Sequence, residues 1–332
     1  MDAIFYDVTH TKVPGLSPNI HVGLERGFAY ETATHFVHFY ARRKGWGGPE
    51  PNLCVVGPSS GKLTDWLTQY FGAINFNTCD IPVGVSYDGI WRPGLYYSSD
   101  IYQALNTTEP KRKLTEQALR VLLEKLDDIF LYIEPDSTSF GAYSHKLREL
   151  LILACTEVEN LLMYFIDKAR HRPLNGSMYT TKDYVKLKDP LFLDEFQCTF
   201  KGHSSMPPIR PFDGWDALYP TKTLAWYDAY NKTKHNRIMY FSDANLHNVI
   251  QAVMANIILY IVMFGPFLLL EESGHFNSIV NQYFKFELIN TNEKKHYVPL
   301  INTGGITRSD TFYFSPYKTK LMLPFTIDAL KL

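Results

Sequence analysis

Residues 147–162 read LRELLILACTEVENLL, and their apolar positions decide the fold class expected of the chain. Leu147, Leu151, Ala154, Val158 and Leu161, continued by Phe165, recur every three or four residues. At 3.6 residues per turn that spacing lays one unbroken apolar stripe along a helix, which ends near His171-Arg172-Pro173. Upstream, Leu119, Leu122, Leu126, Ile129 and Ile133 repeat the pattern before Pro135. Two amphipathic helices joined by the turn-rich DSTSFGAYS (136–144) are expected to pack antiparallel. Leu122, Leu126, Leu151, Ala154 and Val158 should lie between them.

Working outward, residues 172–220 are rich in Pro, Gly and single aromatics and read as an irregular insertion over the helices. Helix is expected again at 224–240 and, after Asp243, to Glu272. Within it, 249–270 (VIQAVMANIILYIVMFGPFLLL) is long enough to span a bilayer. Gln251, Asn256 and the Gly265-Pro266 pair interrupt it, so the reading is a helix buried on all sides, with no membrane partner. Residues 1–112 carry turn signals such as GWGGPEP (45–51) and a short apolar run at 53–56, and read as a mixed α/β segment. Residues 273–332 read as β-rich. Phe284, Phe286 and Leu288 alternate with Lys285 and Glu287, and TNEKK then leads into HYVPLI, which predicts a hairpin. Further strands are expected at 311–314 and 320–325.

The chain has 332 residues, 45% of them hydrophobic, enough for a sizeable core. With 33 basic against 34 acidic residues its net charge is −1, so any nucleic-acid contact must be a local patch. Cys54, Cys79, Cys155 and Cys198 are far apart and without CxxC spacing, which suits reduced thiols in a cytoplasmic protein. The N-terminus lacks a basic stretch followed by an apolar run, so no signal peptide is expected.

Three motifs are candidates for chemistry. Val56-Gly57-Pro58-Ser59-Ser60-Gly61-Lys62-Leu63 resembles a phosphate loop only superficially. Three residues separate its glycines where four are needed, Pro58 has no amide hydrogen, and Leu63 stands where a hydroxyl would hold magnesium. His35 and His38 would share a helical face, but two ligands do not make a metal site, and no metal or cofactor is expected. The third motif is WYDAYNKTKHNR at 226–237. On a helix Asn231 and His235 stack one turn apart, with Lys234 and Arg237 flanking them. An imidazole beside an amide and cations suits proton transfer on a phosphodiester. The plainer reading is a polar helix face. Glu157 and Glu159 read either as solvated carboxylates or as partners that orient His235.

The helix at 147–162, the polar-aromatic insertion, YNKTKHNR and the following apolar helix resemble the HEPN superfamily over residues 113–272. That resemblance implies an α+β, mainly α chain whose centre is an up-and-down helical bundle, and a homodimer with a shared cleft. It implies RNA or nucleotide as ligand and metal-independent endoribonuclease activity of the toxin–antitoxin or phage-defence kind, with a partner protein of such a system. The alternative is a non-catalytic binding module for a nucleotide or protein. His235 and Asn231 fall on the family's catalytic histidine and polar position. Tyr230 stands where the family has arginine. Lys234 and Arg237, with Tyr230 and Glu157, are the expected binding residues.

Overall fold

The structure, a computed structural model, describes residues 1–332 apart from Lys44, Asn175, Ser177, Ser204, Glu272 and Ser273. The expected boundary between Glu272 and Ser273 therefore lies outside the described residues. In chain order the main elements are β1 (Ile4–Asp7), β2 (Arg26–Glu31), β3 (His35–Ala41), β4 (Pro49–Pro58), α1 (Leu63–Phe71), β5 (Ile74–Thr78), β6 (Val85–Tyr87) and α2 (Ser98–Ala104). Then follow α3 (Glu109–Phe130), α4 (His145–Lys168), α5 (Thr181–Tyr184), β7 (Phe196–Phe200), α6 (Ala225–His235), α7 (Arg237–Tyr240), α8 (Leu246–Phe264), α9 (Phe267–Glu271) and α10 (His275–Tyr283). The chain closes with β8 (Phe284–Leu288), β9 (Phe312–Phe314), α11 (Pro316–Thr319) and β10 (Thr326–Asp328).

The expected class, mainly α with an up-and-down bundle at its centre, is corrected. The chain is 41% helix and 18% strand and is mixed α/β, with a six-stranded antiparallel sheet and smaller sheets. It divides into unit 1 (Met1–Tyr87, Arg92–Leu105, Asn290–Asp328) and unit 2 (Asp88–Trp91, Asn106–Ile289, Ala329–Leu332).

Unit 1 is built on the sheet, in the order β5-β1-β2-β3-β4-β9, every neighbouring pair antiparallel. Successive strand residues face opposite sides, and β3 is buried on both. Phe36 and Tyr40 join Trp66, Leu67 and Phe71 of α1 on one face. Val37, Phe39 and Ala41 join Phe28, Cys54, Val298 and Ile301 on the other. A strand covered on both faces shows no polar alternation, which hid β3 in the sequence. His35 and His38 are three apart on a strand, so they point to opposite faces and share none. Gly27 of β2 lies against the Tyr6 ring, where a Cβ would stand 2.5 Å from a ring carbon, so only glycine fits. The expected strand at 311–314 is β9, paired with β4.

Unit 2 holds the long helices. Lys125 pairs with Glu149 at 2.7 Å and Lys146 with Asp128 at 2.7 Å, so position rises along α3 as it falls along α4. The two are antiparallel, and Leu122, Leu126, Leu151, Ala154 and Val158 are all buried. Helix α8 is buried along 16 of its 19 residues. Among the described residues it is the one helix long and apolar enough to cross a membrane, and 83% of its most apolar window lies inside the protein. Two of its buried polar groups bond to neighbouring helices. Asn256 Nδ2 donates to the Ala154 carbonyl of α4 at 2.9 Å, and Tyr260 Oη donates to Glu116 of α3 at 2.6 Å. Gly265, at φ +77°, ends the helix before Pro266. The alternating segment forms β8, but its partner is β7, from within the expected irregular insertion, in place of a hairpin with HYVPLI.

All four cysteines are buried and unpaired. Two imidazoles of unit 1 are wholly buried. Burial pushes His38 well below the ordinary histidine pKa, and burial with the charges of Arg92 and Arg26 does the same to His296. Above about pH 6.5 such an imidazole is neutral folded and unfolded alike. As pH falls through that value only the unfolded chain takes up the proton, so stability is lost, by up to about 1.4 kcal/mol per pH unit per residue. Urea midpoints are expected to be lower at pH 5.5 than at pH 7.5, and the double variant His38→Phe, His296→Phe to show a smaller difference. Equal midpoints for the wild-type chain at both values would contradict this.

Candidate functional site

The site singled out by the sequence lies on α6, whose start is anchored by the insertion before it. Trp226 Nε1 donates to the Pro211 carbonyl at 2.8 Å, and the Phe212 and Trp226 rings meet edge to face at 6.1 Å. Trp226, Tyr227, Tyr230 and Thr233, at helical spacing, form the buried face of α6.

Helix α4 receives that face. Arg148, Cys155 and Glu159 lie on one side of it at helical spacing and run antiparallel to α6. The Arg148 guanidinium donates twice to the Thr233 carbonyl, from Nη2 at 3.0 Å and Nε at 3.3 Å. A last-turn carbonyl has no partner within its own helix, and the negative end of the helix dipole favours a cation there. Near the other end, Tyr227 Oη donates to the Glu159 carboxylate. Burial, then that carboxylate, pushes the Tyr227 phenol far above its usual range. Burial and the same carboxylate raise Tyr184 to about 12, so both phenols stay protonated.

Tyr230 is buried. Lys234 reaches back one turn, and its Nζ donates to Tyr230 Oη at 2.8 Å. That hydrogen bond is the first cause of a raised Lys234 pKa, so the ammonium stays charged. A cation thus sits on the Tyr230 phenol, delivered from the following turn. Cys155 is buried nearby, and desolvation, then Glu159, holds its thiol protonated and unreactive.

The remaining expected residues are placed differently. His235 is the exposed last residue of α6 and makes no hydrogen bond or ion pair among the described residues. Asn231 is half-buried, one turn before it. The helix expected at 224–240 breaks at Asn236, whose φ is −141° and ψ 78°. The Asn236 side chain caps α7 by accepting from the Met239 amide at 3.2 Å. Arg237 is therefore the exposed first residue of α7 and not a helical neighbour of His235. Glu157 accepts from Asn160 at 3.2 Å on its own helix. Two residues from Glu159, it lies roughly 200° round α4, away from the face that meets α6. Glu159 contacts Tyr227 and not His235.

Sequence reasoning missed Arg148 and the assignment of Glu159 to Tyr227. A signal for both was present, because 148, 155 and 159 recur at helical spacing along one edge of the apolar stripe. Among the described residues no group of three or more histidine, cysteine, aspartate and glutamate side chains stands at metal-binding distances.

Comparison of the chain with protein-family models, with curated proteins and with solved structures finds no match to any of them.

The contacts make a ranked prediction. Tyr227→Phe removes a hydrogen bond to a charged acceptor and is expected to cost about 1.5–3 kcal/mol in urea unfolding. Lys234→Met removes a more exposed one and is expected to cost less than about 1 kcal/mol. The reverse ranking would mean that α6 is not held on α4 through Glu159.

Proposed function

We propose that the chain binds RNA or nucleotide phosphate, and that the end of α6 with the start of α7 is where the phosphate is met. One observation carries the reading. Lys234 and the buried face of α6 are engaged with the protein, whereas the His235 imidazole and the Arg237 guanidinium are exposed and have no partner among the described residues.

A helix C-terminus ordinarily repels an anion, because its free carbonyls carry partial negative charge. Here Arg148 covers the Thr233 carbonyl with a full positive charge, and Lys234 adds a second cation within the same turn. The end of α6 is thereby changed from an anion-repelling to an anion-accepting surface. The likeness of YNKTKH to HEPN ribonucleases supports RNA as the ligand class.

A second reading, metal-independent cleavage, is favoured by the exposed His235 alone. A proton-transferring imidazole must be free to meet the substrate 2′-hydroxyl or leaving oxygen, and His235 is not committed elsewhere. The charge-stabilising arginine of the family is absent at Tyr230, so cleavage calls for a second copy of the chain to complete the cleft.

Fluorescence anisotropy with single-stranded RNA at several salt concentrations tests binding. Arg237→Ala is expected to weaken affinity and flatten the slope of log K against log salt by about 0.7, the contribution of one phosphate contact. His235→Ala should change affinity less than about twofold. Unchanged affinity and slope in Arg237→Ala would end the proposal. For the second reading, RNA incubated with EDTA should yield 2′,3′-cyclic phosphate ends, at a rate that falls on the order of 10²-fold in His235→Ala. Intact RNA after prolonged incubation would leave the chain as a binding protein.

A further inference from the structure

Unit 1 carries a cavity of its own, of about 570 Å3, lined by Asp7, Val8, Gly23, Glu25, Arg42 and Arg43. Pockets of roughly 300–1,000 Å3 take whole small molecules, so the space exceeds the need of a single ion. Asp7 closes β1, Gly23 and Glu25 lie on the loop into β2, and Arg42 and Arg43 directly follow β3.

The charged groups here fall into two kinds. Asp7 is fully occupied: Oδ1 accepts from the guanidiniums of Arg26 and Arg43, and Oδ2 accepts from Asn75 Nδ2 at 2.7 Å. Burial would raise its pKa, but the Asn75 hydrogen bond and the two arginine charges outweigh burial, so Asp7 stays anionic. Arg26 is in turn paired with Glu293 at 2.6 Å. Asp7 therefore serves as a fixed post that holds Arg43 on the cavity wall, with most of the guanidinium's five N–H donors unspent.

Arg42 and Glu25 are of the other kind. Arg42 has no ion pair or hydrogen bond among the described residues, and the carboxyl it acts on electrostatically is Glu50. One Glu25 oxygen accepts from the Gly23 amide at 3.0 Å, and among the described residues no arginine or lysine pairs with it. These two opposite charges line one cavity without bridging each other, in a region where Arg26, Arg43, Asp7 and Glu293 all pair. An arginine fork and a separate carboxylate acceptor suit a ligand with an oxyanion at one end and N–H or O–H donors at the other.

We propose that this cavity binds a nucleoside monophosphate, with the phosphate on Arg42 and Arg43 and the donor-bearing base edge on Glu25. The site stands on residues of unit 1 alone and does not rest on the reading of α6. Guanine presents amino and imino donors side by side, the pattern that a carboxylate accepts in a bidentate fashion, so GMP is the probe of choice.

Isothermal titration of the full chain with GMP, inorganic phosphate and guanosine tests the site. GMP is expected to bind more tightly than either half. Arg42→Ala should weaken GMP and phosphate about tenfold or more and leave guanosine unchanged. Glu25→Gln keeps an oxygen for the Gly23 amide, and should weaken GMP and guanosine about tenfold while leaving phosphate unchanged. Both positions are exposed, and unchanged circular dichroism would confirm that the fold is intact. The proposal is overturned by absence of GMP binding at millimolar concentration, or by wild-type affinity in both cavity variants. It is also overturned by phosphate binding that gains nothing from the nucleoside.

Discussion

Helix α8 is fixed inside unit 2 by two directional bonds, from the Asn256 amide nitrogen and the Tyr260 hydroxyl. A buried amide without a partner costs about 1–3 kcal/mol, so Asn256 in the middle of α8 has a narrow choice of neighbours. It takes the Ala154 carbonyl of α4, and one turn later Tyr260 takes Glu116 of α3. Apolar contact alone permits α8 to slide or rotate against α3 and α4, whereas these two directional bonds allow one register. The register of α4 matters because its other edge carries Arg148 and Glu159. Those two residues hold the far end and the near end of α6. The exposed His235 thus stands at the end of a chain of constraint that begins in the most apolar helix of the protein.

The same chain of contacts separates what was legible in the sequence from what was not. Helices α3, α4 and α8 were legible because each buries a continuous face or its whole circumference, and periodicity reports burial directly. Strand β3 was not, because both of its faces are covered and HFVHFYA shows no alternation. β8 showed its alternation, yet pairing is a long-range property, and its partner β7 lies in a segment whose prolines and glycines suggested no strand. The break at Asn236 had a local sign, a capping residue three before Met239, but within a polar helix such a residue is easily read through. That break removes Arg237 from the helical face on which the sequence pattern placed it. Glu157 and Glu159 are equivalent until a neighbouring helix chooses between them, and that choice is tertiary. Arg42 and Arg43 lay in a turn-rich stretch in which only folding shows Asp7 and Glu25 opposite them.

For the α6 surface the electrostatics decide the balance between binding and catalysis. Lys234 is charged but tied to Tyr230, and Arg148 is spent on the Thr233 carbonyl. Both make the local potential favourable to phosphate without being free to follow a migrating charge. Arg237 is free to contact a ligand, and His235 is free to transfer a proton. On the proposed reading a single copy offers the parts of a phosphate-binding surface and one proton-transferring group, short of the two groups that acid–base cleavage uses in concert. The architecture is mixed α/β and not the helical bundle that the sequence resemblance implied.

The most direct test of the account is where RNA touches the protein. Ultraviolet crosslinking of a short single-stranded RNA to the intact chain, followed by mass spectrometry of the crosslinked peptides, reads this without any substitution. The account predicts crosslinks concentrated on the peptide that contains His235, Arg237 and Tyr240 at the α6–α7 junction. Crosslinks that avoid this peptide and fall elsewhere on the chain would contradict it.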